Sequence, residues 1–318
     1  MTPGVVDYRE FQEYRIPVSG GHLAVVRWPA LDPDAPTAVL VHGITGNALA
    51  WAATAEAVAG RVNLLAPDLR GRAHSRELAP PWGIDADAED VVAVLDHAGL
   101  DSAVLAGHSL GAFVACVVAA RRAERVDAVV AVDGGAPYPL PTALDPDAVL
   151  ELTVGPAVQK LSLTFPDGEA YLDFHRSHPS FVGNWNPQLT AYLRRDTLRL
   201  ADGTVVSSCI AAAIRADGRQ LIVDESVKQA INAATCPITL LYAGRGLLNQ
   251  PQGFYTEAGL DAAGIDRDRV ATGLVSGTNH YTIVGPGIGA DSIAAAILDH
   301  TGAAADRPDD DGPLRGAA

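Results

Sequence analysis

The sequence predicts an α/β protein with a mostly parallel, doubly wound sheet and a helical cap inserted between two of its strands. Short apolar β-rich runs alternate with helical runs up to residue 135, and this alternation breaks over residues 136–235 before it resumes. Right-handed crossovers between successive strands turn such alternation into a parallel sheet. The 318-residue chain is 48% hydrophobic, which is enough to cover a sheet on both faces.

The first 135 residues contain the clearest strand and helix patterns. The predicted strands are residues 22–28, 37–41, 62–66, 102–106 and 126–132, and the predicted helices are residues 48–60, 84–98 and 110–122. Residues 37–41 form a continuous apolar run, which is typical of a strand buried on both faces. Gly99 ends the second helix, because glycine readily adopts the left-handed conformation found there.

The pattern changes at residue 136. Helical runs at 148–161, 168–178, 187–198 and 225–233 follow one another without a clear buried strand. Strands resume at 238–243 and 270–275, and a final helix spans 289–300. We therefore predict a core domain of residues 1–135 and 236–302, and a cap segment of residues 136–235 over the functional edge of the sheet. Residues 303–318 are rich in Asp, Pro, Gly and Ala, which predicts a disordered tail.

The composition argues against nucleic-acid and membrane partners. The net charge is −15 and the basic residues do not cluster, whereas both partners are bound through patches of positive charge. No apolar run of about 18 residues is present to span a bilayer, and no signal peptide is visible. The three cysteines lack C-x-x-C spacing, which suits a reducing compartment. We expect a cytoplasmic protein with a small-molecule substrate and no cofactor, and the oligomeric state is left open.

Residues 107–111 read Gly-His-Ser-Leu-Gly and lie between an apolar strand and an apolar helix. A sharp strand-to-helix turn crowds the neighbouring backbone, so the residues that flank the serine must be small. Such a turn raises the hydroxyl of Ser109 above the carboxyl edge of the sheet, where open α/β sheets bind ligands. Ser109 is therefore the candidate nucleophile. The alternative, a serine that only caps the following helix, leaves the two glycines unexplained.

Over residues 15–300 the chain resembles α/β-hydrolases of the esterase, thioesterase and lipase type. The matching segments are LVHGITGN (40–47), LLAPDLRGRAHS (64–75), GHSLGAF (107–113), VVAVDGG (129–135) and TNHYTIV (278–284). The resemblance implies that His280 is the general base, which takes the proton of Ser109 and returns it to the leaving group. It also implies an oxyanion hole formed by the backbone N–H groups of Ile44 and Leu110. His42 in such loops has a structural role.

The acid of the triad is where the sequence departs from the family's common pattern. Most members carry an Asp soon after the strand predicted at 238–243, but here no carboxylate follows before Glu257. Some branches of the fold place the acid after the strand predicted at 126–132, where this chain has Asp133. The alternatives are that Asn249 or a backbone carbonyl orients His280, that another carboxylate does so, or that Asp133 only stabilises the turn that follows it.

The cap segment is rich in aromatic residues, which indicates an apolar pocket with a few polar groups, the usual architecture of a small-molecule site. Tyr138, Phe181 and Trp185 are the candidates for substrate binding. Three arginines of this segment either bind an acidic group of the substrate or form the solvated face of a helix: Arg194, Arg195 and Arg199.

A metal site is not predicted. His175 and His178 lie three residues apart in the cap segment, but no set of carboxylates accompanies them.

The sequence thus predicts a serine-dependent carboxylic ester or thioester hydrolase that acts on a mid-sized apolar molecule through an acyl-enzyme. One alternative is an acyltransferase or a carboxylate-eliminating enzyme on the same fold. Another is a non-catalytic ligand-binding protein, which the missing acid after 238–243 would favour and the intact serine turn disfavours. Dehalogenases and epoxide hydrolases of this fold carry Asp at the position of Ser109.

Overall fold

An eight-stranded, mostly parallel sheet forms the centre of the molecule. The computed structural model describes residues 7, 9–139, 145, 148–149 and 160–303. In this part of the chain the strands are β1 (Gln12–Val18), β2 (Gly21–Trp28), β3 (Thr37–Val41), β4 (Asn63–Pro67), β5 (Ala103–His108), β6 (Val126–Val132), β7 (Thr197–Arg199), β8 (Val205–Ser207), β9 (Ile238–Arg245) and β10 (Val270–Asn279).

The strand order of the large sheet is β1-β2-β4-β3-β5-β6-β9-β10. β2 runs antiparallel to both of its neighbours, and the remaining pairs are parallel. All residues of β4 and β5 are buried, as expected for apolar strands covered on both faces. The predicted doubly wound α/β sheet is confirmed.

Helices cover both faces of this sheet. In the described residues they are α1 (Ala52–Ala57), α2 (Ile84–His97), α3 (Leu110–Arg121), α4 (Gly168–Arg176), α5 (Pro187–Arg195), α6 (Ala211–Val223), α7 (Glu225–Lys228), α8 (Ala230–Ala233), α9 (Glu257–Ala262) and α10 (Ile288–His300). α2 and α3 contribute to the apolar core on one face, and α1 and α10 to the core on the other. Ten residues of α3 are buried, so the helix that begins after Ser109 is held firmly in place.

Several elements differ from the sequence prediction. β1 was not predicted, because it is an edge strand in which Ile16 is the one buried residue. β7 and β8 form a small antiparallel hairpin inside the cap segment, where no strand was expected; three residues each are too few to display a strand pattern. α6 was also missed, since Gly218 lowers the helix propensity of its interior.

Two predictions fall largely on undescribed residues. The helix expected at 148–161 and the tail expected at 303–318 lie mostly outside the described part of the chain.

The described part of the cap segment contacts loops at the carboxyl edge of the sheet. Nδ2 of Asn47, after β3, donates to the carbonyl oxygen of Tyr192 at 2.9 Å. After β4, Asp68 accepts a hydrogen bond of 2.7 Å from Nη2 of Arg195. The segment therefore lies against the edge at which open α/β sheets bind ligands.

Within the described residues, none of the helices has the length and hydropathy needed to cross a bilayer.

Candidate active site

Ser109 lies on a strained turn between β5 and α3. Its backbone has φ +54° and ψ −119°, a conformation that non-glycine residues seldom adopt and that is found at functional sites. The flanking glycines are required by close backbone approach. A Cβ at Gly107 would overlap the carbonyl group of Gly111, and a Cβ at Gly111 would overlap the carbonyl oxygen of Val41. The local sequence therefore forces the serine side chain out of the turn.

His280 and Asp133 lie next to this serine. Ser109 Oγ and His280 Nε2 are 3.1 Å apart, within hydrogen-bonding distance. Nδ1 of the same ring is 2.6 Å from Oδ2 of Asp133, which is the separation expected of a hydrogen bond to a carboxylate. The other carboxylate oxygen, Oδ1, accepts from the backbone N–H of Ala243 at 3.0 Å. Asp133 is fully buried, so both oxygens have fixed partners and the imidazole is held in one orientation.

The topology of the sheet brings these three residues together. Ser109 follows β5, Asp133 follows β6, and His280 follows β10, all at carboxyl ends of parallel strands. Asp133 itself has φ +45°, and the next residue, Gly134, passes so close to Ser109 that a Cβ would overlap its carbonyl oxygen. The turn after β6 packs closely against the turn after β5, which places the carboxylate of Asp133 next to the imidazole of His280.

Asn249, the alternative partner of His280, is directed elsewhere. Its Oδ1 accepts from Nε of Arg245 at 2.9 Å and from Nδ2 of Asn279 at 3.3 Å. The residue therefore stabilises the loop after β9, and of these two candidates it is Asp133 that hydrogen-bonds to the imidazole.

His280 also contacts two residues whose role the sequence did not predict. Nε2 of His108 donates to the carbonyl oxygen of His280 at 2.8 Å. Burial holds the pKa of His108 well below its ordinary value, so this ring is neutral and acts as a hydrogen-bonding support. The ring of Phe254 lies edge-on to His280, with centroids 5.0 Å apart. His108 could have been noticed, since it lies within the serine motif; Phe254 carries no local signal.

The two candidate oxyanion donors, Ile44 and Leu110, line the same cavity as the serine. Leu110 is the first residue of α3, so its N–H has no acceptor within the helix. Ile44 lies in the loop after β3, and both residues line the cavity that contains Ser109. His42 is buried at the base of this loop, where Nδ1 donates to the carbonyl oxygen of Gly43 at 2.8 Å. Burial lowers the pKa of His42 to about 4, which suits a neutral structural role.

A cavity of about 140 Å³ opens above Ser109. Core and cap residues line it together, and most of them are apolar or aromatic. Of the substrate-binding candidates, Tyr138 and Phe181 line this cavity. Tyr138 also donates from its hydroxyl to the carbonyl oxygen of Asp133 at 3.0 Å, and burial raises the pKa of this hydroxyl. Tyr138 is thus a neutral hydrogen-bonding group in the cavity wall.

The expectation for Trp185 needs correction. Trp185 lies outside the cavity lining and packs on the small apolar core of the cap segment. The guanidinium of Arg176 lies 4.7 Å from the centre of its ring, a cation–π contact. Its neighbours Asn184 and Asn186 line the cavity instead. The sequence could not indicate which of these adjacent side chains turns inward.

The arginines of the cap segment pair with protein groups. Arg195 contacts Asp68 at 2.7 Å and Glu13 at 3.0 Å. Arg194 pairs with Glu169 at 2.9 Å. None of the three predicted arginines lines the cavity.

Across the described ranges, no cluster of three or more His, Cys, Asp or Glu side chains is arranged to hold a metal ion.

Comparison with known proteins agrees with this architecture. A family model described as the alpha/beta hydrolase fold matches residues 36–185. The crystal structure of E-2-(acetamidomethylene)succinate hydrolase superposes with a TM-score of 0.70 at 21% identity, covering 92% of this chain and 99% of that one. A thioesterase domain from the curacin biosynthetic pathway gives 0.68 at 20% identity, covering 91% and 99%. The chain therefore has the α/β-hydrolase fold.

The sequence relatives of this chain match only a limited stretch of it. Lipase LipV of Mycobacterium tuberculosis is 38% identical over 102 residues, which are 32% of this chain and 38% of LipV. The chain spans less than half the length of each of the first curated relatives it matches. The succinate-derivative hydrolase, the thioesterase domain and the lipase carry names that refer to different substrates. The α/β-hydrolase fold therefore does not by itself identify the substrate of this protein.

Proposed function

We propose that this protein is a serine hydrolase that cleaves a carboxylic ester or thioester of a mid-sized apolar molecule through an acyl-enzyme. The observation that carries the proposal is the hydrogen-bonded series from Asp133 through His280 to Ser109, with distances of 2.6 and 3.1 Å. Acid, base and nucleophile have this arrangement in serine hydrolases on unrelated folds. The strained turn of Ser109 and the adjoining cavity support the same reading.

In the proposed mechanism, Oγ of Ser109 attacks the carbonyl carbon while Nε2 of His280 accepts the hydroxyl proton. Asp133 accepts a hydrogen bond from Nδ1–H, which keeps Nε2 free as a base and stabilises the imidazolium that forms. The N–H groups of Ile44 and Leu110 donate to the oxyanion of the tetrahedral intermediate. Collapse of this intermediate breaks the bond to the leaving alcohol or thiol, which takes the proton from His280.

Water completes the cycle. His280 removes a proton from a water molecule, which attacks the acyl-enzyme at its carbonyl carbon and forms a second tetrahedral intermediate. Its collapse breaks the ester bond to Ser109, returns the proton to Oγ and releases the carboxylic acid.

The proposal is tested by labelling the wild-type protein with a fluorophosphonate and measuring its intact mass. We expect one adduct per chain, located at Ser109 by peptide mapping, and turnover of p-nitrophenyl esters. Hydrolysis gives the free acid as product, whereas acyl transfer requires an added acceptor. An unlabelled, inactive but folded protein would favour the ligand-binding alternative.

The cavity wall further indicates that the substrate's acyl part is uncharged. No Asp, Glu, Lys or Arg is among the described residues that line it, and the stretch 140–159, most of which is undescribed, contains no lysine or arginine. An anionic group inside the cavity would lose its hydration without gaining a counter-charge. A substrate such as a succinate, named in one structural relative, therefore fits this cavity poorly.

Two esters of equal length measure this preference. We expect p-nitrophenyl hexanoate to be hydrolysed with a kcat/KM at least about 100-fold above that of the mono-p-nitrophenyl ester of adipic acid, because an unpaired, desolvated carboxylate costs several kcal/mol. Hydrolysis of both esters in alkali without protein corrects for their intrinsic reactivity.

A variant with an added positive charge at the cavity wall serves as the control for this preference. Leu248 lines the cavity with 50% of its surface exposed, so Leu248→Arg can place a guanidinium at the cavity wall and should narrow the difference between the two esters. Equal kcat/KM values for wild-type protein would contradict a neutral acyl site.

A further inference from the structure

The candidate oxyanion donor Ile44 is connected through two peptide units to a lysine of the cap segment. Nζ of Lys160 donates to the carbonyl oxygen of Thr45 at 3.3 Å. The other end of that peptide unit, the N–H of Gly46, donates to the carbonyl oxygen of Gly43 at 2.9 Å. Since N–H and C=O point in opposite directions across a planar peptide unit, the Gly43 carbonyl in turn aims the N–H of Ile44. Lys160 is thus linked, through these two hydrogen bonds and the two peptide units, to the N–H group of Ile44 in the candidate oxyanion hole.

The lysine is itself held by a buried network of the cap segment. Nζ of Lys160 lies 2.5 Å from Oδ2 of Asp196, and Oδ1 of this carboxylate accepts from Ser207 at 3.0 Å and Ser208 at 2.9 Å. The hydroxyl of Tyr171 also donates to Oδ2. Burial acts to lower the pKa of Lys160, but the Asp196 carboxylate holds it well above its ordinary value. The ammonium group is therefore charged and fixed in position.

This network has no evident role in the chemistry described above. A buried ion pair contributes little net stability, because the desolvation of both charges offsets their attraction. Replacement by packed apolar side chains would stabilise the cap segment equally well. What the pair supplies, and apolar residues could not, is a directed donor at the carbonyl oxygen of Thr45. Cys209 also approaches this oxygen, with Sγ at 3.7 Å, but a thiol is a weak donor.

We propose that Lys160, held by Asp196, is a positioning residue that sets the direction of the Ile44 N–H and thereby makes the cap segment part of the oxyanion hole. The inference rests on the proposed serine hydrolase function. It assigns to this segment a role in transition-state stabilisation in addition to lining the cavity. It also explains why a charged group is buried where the segment meets the loop after β3.

The chain offers a matched pair of variants, because Lys160 and Lys228 are its only lysines. Lys228 is partly exposed and pairs with Glu225 on α7, so Lys228→Met serves as the control. For Lys160→Met we expect kcat on p-nitrophenyl hexanoate to fall about 10- to 100-fold with KM nearly unchanged, less than the roughly 10²–10³ that loss of a whole oxyanion donor costs. Lys228→Met should match the wild-type protein.

Two inhibitors separate positioning from a general structural effect. A hexylboronic acid forms a tetrahedral adduct with Ser109 and occupies the oxyanion hole, whereas hexanamide occupies only the acyl site. Lys160→Met should lower the affinity for the boronic acid by the same factor by which it lowers kcat. It should change the affinity for hexanamide by less than about twofold, because only the transition-state interaction is lost. Unchanged boronic acid affinity, or a rise in KM with kcat preserved, would overturn the inference.

A double variant covers the case in which Lys160→Met does not fold because Asp196 is left as an unpaired buried charge. Lys160→Met combined with Asp196→Asn removes both charges and should show the same loss of kcat and of boronic acid affinity; wild-type values in it would contradict the inference. If the wild-type protein neither takes the fluorophosphonate label nor hydrolyses any ester, the proposed function itself fails. If it does both while Lys160→Met equals Lys228→Met, only the positioning role is wrong.

Discussion

Ser109→Ala is expected to abolish fluorophosphonate labelling and to reduce kcat for ester hydrolysis by roughly 10⁶-fold, the loss seen when a serine protease loses its nucleophile. The side chain that is removed is the only atom group expected to bond covalently with the substrate. The fold should be unaffected, because alanine and serine pay a similar cost for the positive φ of this turn. Rates of p-nitrophenyl hexanoate hydrolysis and the intact mass after labelling measure the effect.

Ser177→Ala is the control for this variant. Ser177 is exposed, and its Oγ donates to the carbonyl oxygen of Phe174 at 2.8 Å. It lies in the cap segment and does not line the cavity that contains Ser109, so labelling and kcat of this variant should equal those of the wild-type protein. Labelling that persists in Ser109→Ala would show that another residue is the nucleophile.

Asp133→Asn should lower kcat by roughly 10²- to 10⁴-fold, with KM nearly unchanged. The reason lies in the second oxygen of the carboxylate. Oδ1 accepts from the N–H of Ala243, so an asparagine at this position must direct its carbonyl oxygen there and its amide NH₂ at Nδ1 of His280. Nδ1 then becomes an acceptor, the ring proton moves to Nε2, and the base can no longer accept from Ser109.

The control for this variant is Asn249→Ala, which removes contacts to Arg245 and Asn279 but none to the imidazole. It should affect thermal stability more than kcat. Asparagine tolerates the positive φ of position 133 as readily as aspartate does, so Asp133→Asn should keep its fold. A large loss of kcat in Asn249→Ala, with little change in Asp133→Asn, would assign the orienting role to the amide.

Much of the fold could be predicted because its signals are local. The apolar run of β3 and the amphipathic pattern of α2 each lie within one stretch of chain, and both elements appear at the predicted positions. The glycines around Ser109 are also a local signal, since steric crowding in a turn depends on residues that are close in sequence. Edge strand β1 and the hairpin of the cap segment were missed because few of their residues are buried or because they are short.

The sequence was sufficient to predict the candidate nucleophile and the succession of strands and helices along the chain, because each depends on residues that are neighbours in sequence. The candidate base, His280, came from the resemblance to a known family. Only the tertiary structure decided which polar group meets His280, since Asp133 lies 147 residues away and reaches the ring through the adjacency of β6 and β9. The same applies to the pair of Lys160 with Asp196 and to the packing of Trp185 on the core of the cap segment, outside the cavity. A side chain's partner depends on which distant elements pack together, and periodicity along the chain does not encode that contact.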